Sequence, residues 1–445
     1  MATGQFPREL SKWITSLATV LDARIEWRLE HMFLGLLFAR GRRTITSWLR
    51  AIGVRRHYED YYYFLGSLGH KCESVAAALL RLILEHLPLP ERILAAIDDS
   101  PTKRYGPQVE GAGIHHNPTP GPAGAKFLYG HNWVTLAILV RHPCWGTIAL
   151  PLLARLYVRA KNLLPLRARY NWEFRTKLQL AAEQAEWLAK WLKYLGKTLW
   201  VVVDGAYAKR PLLQRMAAAS VTVVGRLRKD AALYSVPVPP QRGVRRRGRP
   251  RKYGPERISL AKRAGHTRGW QTEIFRLYGR EETKRYKTFL ATYPPAGGLI
   301  RVVLVKEEDG TWVAYFCTDS NASVAEILEA VADRSAIEQV FHDIKEVHGA
   351  GQPQLRHVWA NIAALHLALW LYTLVETWAW HKSHAELCDR SDSPWDDAKR
   401  RPSHADRCKA LRRACLETEF SRHAIAGRWP RKIREFVGRL AARAA

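Results

Sequence analysis

Carboxylates stand at three places in this 445-residue chain where an acid needs a reason to be. Asp98 and Asp99 end the apolar run LAAIDDS, Asp204 ends WVVVDGAY, and Glu338 lies in DRSAIEQVFHDIKEVHG. Open α/β folds hold ligands at the carboxyl ends of their strands. An acid buried there is costly unless it is paired or holds a metal. Two aspartates and a glutamate supply hard oxygen ligands, which suit Mg²⁺ or Mn²⁺ with positions left for phosphate oxygens and water. Two such ions about 4 Å apart can activate a water or a 3′-hydroxyl and stabilise the departing oxygen. The alternative at the strand ends is a cap or a plain ion pair.

The glutamate depends on a helix for its company. At about 100° per residue, Arg334, Glu338 and Lys345 fall on one stripe, beside an apolar sector of Val340, Ile344 and Val347. Taken alone, that stripe reads as a salt-bridged solvated face. The two strand-end acids in a very basic chain turn the reading towards an acid flanked by two phosphate-gripping cations. The aspartates depend on strands. LAAIDDS, WVTLAILV, WGTIALPLLARLYV and TLWVVVDGAY read as buried strands around the long helix in NWEFRTKLQLAAEQAEWLAKWLKYLG, an α/β order.

Five regions follow. Residues 1–90 read as a helical DNA-binding region, 91–204 as the first part of the α/β core, and 205–320 as a β-rich insertion. Residues 321–382 return to helix as the second part of the core, and 383–445 form a basic helical tail of surface helices. In the first region Thr44 caps a short helix carrying Ile45, Trp48 and Leu49, ringed by Arg40, Arg42, Arg43 and Arg50. It fits either a helix-turn-helix recognition element or an ordinary bundle helix.

Lys and Arg number 70 against 41 Asp and Glu, a net charge of +29 spread over many segments. That balance implies a long polyanionic partner. Hydrophobic residues make up 47%, which allows a large core and excludes global disorder. The most apolar stretch, Ile362 to Trp380, is interrupted by His366 and Glu376, so a buried core helix is expected rather than a membrane span. MATGQFPREL has no apolar signal core. Six cysteines without a C-x-x-C pair imply reduced thiols in a cytoplasmic protein, and a DNA partner would place it at the nucleoid. His115, His116 and His131 have no spaced Cys or acidic partner, which favours a DNA-contacting loop over a zinc site. There is no Walker loop, dinucleotide fingerprint or Ser/His/Asp triad.

These motifs resemble those of bacterial insertion-sequence transposases of the DDE type, the large group that includes the Tn-five-like and IS-four-like enzymes. LAAIDDS is similar to the first-Asp strand of that group. VVVDGAYAKRPL is similar to its second-Asp motif, with Tyr207 three residues on. RSAIEQVFHDIK matches its R-x3-E-x6-K signature through Arg334, Glu338 and Lys345. The likeness runs from about Ile93 to Leu374. One departure is Val331, where the family often has a Tyr associated with holding the DNA end. The resemblance implies an α/β fold with an RNase H-like catalytic core, a β-rich insertion, and helical N-terminal and C-terminal regions. It implies Asp99, Asp204 and Glu338 as catalytic ligands of two Mg²⁺ or Mn²⁺ ions. Aligning Asp99-Ser100 with the family's usual Asp-Thr favours Asp99, with Asp98 as the alternative. It also implies double-stranded DNA as partner, both transposon ends and target, a homodimer on paired ends, and no membrane. A non-catalytic domesticated DNA-binding protein and a structure-specific nuclease are the alternatives.

RRRGRPRKYG lies within the insertion. Its Gly-Arg-Pro core fits an A·T minor-groove hook formed by Arg247, Arg249, Arg251 and Lys252. A basic loop binding phosphate without sequence preference fits it as well.

Overall fold

Five helices open the chain in the computed structural model, which describes residues 5–117, 124–237, 251–390, 395–397 and 399–423. They are α1 (Arg8–Ala18), α2 (Arg28–Phe38), α3 (Ile45–Ala51), α4 (Glu59–His70) and α5 (Cys72–His86). α1 buries Leu10, Trp13, Ile14 and Leu17, the spacing that puts one helical face into a core. α3 starts where the Thr44 hydroxyl accepts the Ser47 N–H at 3.3 Å. Its Ile45, Trp48 and Leu49 are all buried.

A sheet with helices on its faces follows. Its elements are β1 (Arg92–Lys103), β2 (Gly113–His116), β3 (Phe127–His142), β4 (Gly146–Tyr157), α6 (Leu164–Tyr170), α7 (Lys177–Tyr194), β5 (Thr198–Val203), α8 (Arg210–Ala218) and β6 (Thr222–Leu227). β1, β3 and β4 pair antiparallel in the order β4-β3-β1. β5 then lies parallel to β1, and β6 parallel to β5. β5 is buried along all but its first residue, as expected of a central parallel strand covered on both faces. α7 is launched by a reciprocal cap between Thr176 and Gln179.

The next strands are β7 (Leu233–Tyr234), β8 (Arg257–Ile258), β9 (Gln271–Leu277), β10 (Arg280–Tyr293), β11 (Gly298–Lys306) and β12 (Trp312–Cys317), with the short α9 (Leu260–Gly265) among them. β12 pairs antiparallel with β6. The described residues therefore form one twelve-stranded sheet, not a core with a separate β-module. This moves a boundary: α8 and β6, expected within the insertion from residue 205, belong to the parallel core. The segment around His115 and His116 is also corrected. It is a strand pairing antiparallel with β3, not a loop.

Five more helices follow among the described residues: α10 (Val324–Asp333), α11 (Ala336–Glu346), α12 (Val358–Ala379), α13 (His384–Leu387) and α14 (His404–His423). The return to helix expected over 321–382 takes the form of separate helices, with breaks after Asp333 and after Glu346. α12 is long and apolar enough to cross a membrane, but it is buried inside the protein against α4 and β4. A helix apolar all round belongs in such a core. Its His366 is satisfied there: Nδ1 donates to the Ile362 carbonyl at 2.8 Å and Nε2 accepts the Ala154 N–H at 3.1 Å. α14 is not the surface helix expected. It buries Cys408, Leu411 and Cys415, and Arg412 donates to the Leu37 carbonyl at the end of α2. The tail sequence PRKIREFVGRLAARAA lies outside the described residues.

Candidate active site

β1 does not stop at the acids, as expected. It runs on to Lys103 along β3, while its pairing to β5 ends at Ile97 opposite Val203. Side chains alternate across a strand, so Asp98 and Ser100 share one face and Asp99 takes the other. Carried one step further, the β1–β5 register sets Asp98 beside Asp204, on the same face. Both contribute to holding the Arg334 guanidinium in its charged form.

Arg334 ties this face together. It caps the C-terminus of α10, donating through Nη1 to Asp98 Oδ2 at 2.7 Å and through Nη2 to Glu338 Oε1 at 2.9 Å. Glu338 stands in the first turn of α11, where a negative charge suits the helix dipole. Its side chain is 61% exposed, against 21% for Asp98. Burial pushes the Asp98 carboxyl above its ordinary range, and Arg334 opposes that rise. Asp204 accepts the Gly205 N–H through Oδ1 at 2.6 Å. At the far end of α11, Lys345 donates to Ser100 Oγ at 2.7 Å, and burial lowers its ammonium pKa. Thus the expected Arg–Glu–Lys set is divided between the end of α10 and α11, with Arg334 and Lys345 reaching Asp98 and Ser100 on one face of β1.

Asp99 is engaged on the opposite face. Lys177, the first residue of α7, donates to its Oδ2 at 2.6 Å, and the buried Tyr207 hydroxyl donates to its Oδ1 at 2.7 Å. Burial first, and then Asp99, push the Tyr207 phenol far above its usual value. The structure therefore brings Asp98, and not the favoured Asp99, together with Arg334 and Glu338. The alternation of the strand is the reason.

A groove of about 1460 Å³ opens here, lined among others by Arg42, Asp98, Asp99, Tyr105, Glu338 and Lys345. The Arg42 guanidinium sits 5.8 Å from the centre of the Tyr105 ring. The Arg43 N–H donates to Gln352 Oε1 at 2.7 Å, which seats the α2–α3 connection against the groove wall. Asp204 lines a neighbouring recess with Arg226, Arg228 and Lys229. Arg251 and Lys252 are exposed, whereas Arg247 and Arg249 lie outside the described residues. His131 is buried with Nε2 on the Glu110 carbonyl, and burial takes His115 down to about 4.

Residues 17–286, more than half of the chain, match the family described as DDE superfamily endonuclease. The chain belongs to this family. The match to the DDE superfamily endonucleases includes Asp98, Asp99 and Asp204 and ends before Glu338. No functionally curated protein matches this endonuclease. Among solved structures it is similar to the piggyBac transposase synaptic complex with hairpin DNA. Identity is 10% over 92% of this chain and 84% of that one, with a TM-score of 0.35. That likeness is too distant to carry residue correspondences.

Sequence reasoning missed Lys177, Tyr105 and His342 in this endonuclease, since no motif marks them. Tyr207 carried a signal as the tyrosine three residues after Asp204, but its partner, Asp99, is set by the fold. Asp98, Asp204 and Glu338 are all oxygen donors. The guanidinium held between two of them marks that gap as one where positive charge is stabilised, so the donor set fits divalent cations of the Mg²⁺ class.

Proposed function

We propose that this endonuclease is a DNA transposase of the insertion-sequence type, which cleaves and joins strands at the ends of its element. The observation that carries the reading is Arg334 donating to both Asp98 and Glu338, with Asp98 and Asp204 each following directly on the paired strand residues Ile97 and Val203. The strand order β4-β3-β1-β5-β6, three antiparallel strands followed by two parallel ones, supports an RNase H-like core.

Asp98, Asp204 and Glu338 would hold two Mg²⁺ or Mn²⁺ ions, which when bound supply Lewis-acid polarisation of the phosphodiester and of the attacking hydroxyl. The protein's own groups do the rest. Arg334 favours the ionised form of Asp98, the form that binds cations, and hydrogen-bonds Glu338. Lys345, steadied by Ser100, places a second positive charge in the groove for a phosphate oxygen. Lys177 and Tyr207 engage Asp99 on the reverse of β1, which fixes the strand that presents Asp98.

The partner is double-stranded DNA, as element ends and as target, bound by a homodimer on paired ends in the cytoplasm at the nucleoid. A charge of +29 supports a polyanionic partner. Arg42 reaches phosphate from the groove rim, with Arg43 behind it. Arg251 and Lys252 do so from the insertion, with Arg247 and Arg249 completing the hook. Replacing Arg249 and Arg251 decides how the hook reads DNA: loss confined to A·T-rich sites marks minor-groove reading, and uniform loss marks a phosphate-binding loop.

The test is Mg²⁺-dependent cleavage of DNA carrying the ends that bracket the gene. Asp204→Asn and Glu338→Ala should abolish cleavage and leave end binding largely intact. Cleavage retained by either variant sinks the assignment. Joined product from pre-cut ends separates a transposase from a nuclease without strand transfer.

A further inference from the structure

A second set of metal-binding donors lies behind α11, away from the groove. His348 follows α11, His404 opens α14, and Cys408 lies one turn further along the same face of that helix. All three are buried, and their ligand atoms lie within 4.8 Å of one another. The Nε2 atoms of His348 and His404 are 2.8 Å apart, and Cys408 Sγ is 3.4 Å from His404 Nε2.

The other side of His404 is held in place. Its Nδ1 donates to Glu376 Oε1 at 2.7 Å, and Arg407 donates to the second Glu376 oxygen at 2.6 Å. Once Nε2 gives up its proton, the Nδ1 proton stays hydrogen-bonded to Glu376 and the Nε2 lone pair points towards His348 and Cys408. A carboxylate behind an imidazole is the arrangement that orients histidine ligands on metals. The Tyr372 ring stacks on His404 with centroids 4.2 Å apart. A cavity of about 440 Å³, lined in part by Tyr372, Ser403 and Arg407, reaches His404 and provides an entry path.

Two imidazole nitrogens this close need a proton or a metal between them. Two imidazoles and a thiolate are a zinc donor set. Tetrahedral bonds of ordinary length would set N and N about 3.3 Å apart, and N and S about 3.6 Å apart. Cys408 and His404 are therefore already near that spacing, and the two rings need to part by about half an ångström. We propose that His348, His404 and Cys408 bind one zinc-class transition-metal ion, which staples α14 to the turn after α11. The staple would fix the tail helix to the segment whose other end carries Glu338.

The experiment uses the full chain, purified without a metal-binding tag and kept in excess Mg²⁺ so that the groove carboxylates are occupied. Elemental analysis should find about one zinc per chain. Cobalt titrated into chelator-treated protein should produce a sulfur-to-cobalt charge-transfer band and tetrahedral visible bands, which zinc displaces. Cys408→Ser should lose the charge-transfer band, which also separates Cys408 from the other cysteines. Should that variant fail to fold, the wild-type cobalt spectrum and its displacement by zinc still decide. Protein that purifies without metal and gives no charge-transfer band overturns the proposal, and leaves a proton shared between His348 and His404. A band that persists in folded Cys408→Ser overturns it as well.

Discussion

Asp98 and Asp99 are the same residue one position apart, and the pleat of β1 gives them different chemistry. Both line the groove, but Asp98 meets Arg334, while Asp99 meets Lys177 and Tyr207. Asp98→Asn should therefore lower Mg²⁺-dependent strand cleavage by ~10³-fold or more, as removal of a group used in the transition state does. Asp99→Asn should keep cleavage within about tenfold of wild type while costing about 1–3 kcal/mol of stability, because it leaves a buried hydroxyl and an ammonium poorly matched. Cleavage rates and thermal unfolding of the two variants check this, and the reverse ranking would return the role to Asp99. His366 offers a pH test of folding. Burial lowers it from the ordinary 6.5 to about 4. The unfolded chain takes up this proton first as pH falls, so its contribution to stability is intact above about 6.5 and lost progressively towards 4. At pH 4.5 the loss from this residue is about 2–3 kcal/mol. Urea unfolding across that range should show a flatter pH slope for His366→Gln than for wild type.

At the scale of elements, α12 is the post on which the N-terminal helices and the sheet are hung. α4 approaches it at Gly69, where an added Cβ would fall 2.2 Å from the Trp359 carbonyl oxygen. No side chain fits there without parting the helices. Gly69→Ala should lower stability by about 1–3 kcal/mol through overpacking, although alanine is the better helix former. Differential scanning calorimetry reads the shift, and an unchanged melting temperature would refute the close packing. α11 shows what the sequence pattern left open. The set of Glu338 and Lys345 on it with Arg334 just before it was legible from periodicity, but a solvated face has the same period. Ser100 and Asp98, 245 and 236 residues away from Lys345 and Arg334, settle which way the stripe turns. The break after Asp333 was not legible, because no Pro or Gly marks it.

For the whole molecule, the charge of +29 makes a quantitative statement about binding. Affinity for duplex DNA should fall ~10³-fold or more between 50 and 200 mM salt if six or more phosphates are neutralised. Fluorescence anisotropy at stepped salt concentrations measures that slope. Replacing both Arg251 and Lys252 by alanine should make it shallower by about 2, and an unchanged slope would remove them from the interface.

The sequence by itself determined the α/β class, the buried character of α12, the Thr44 cap and the segments that carry the acids. These are local matters of hydrophobic period, capping chemistry and unusual residue types, which short stretches of chain contain in full. Only the tertiary structure decided that Asp98 faces Glu338, that β6 belongs to the parallel core, and that His348 meets His404 and Cys408. Each depends on register or docking between segments far apart in the chain. Such pairings are selected by the burial of whole faces at once, a property that no single segment carries.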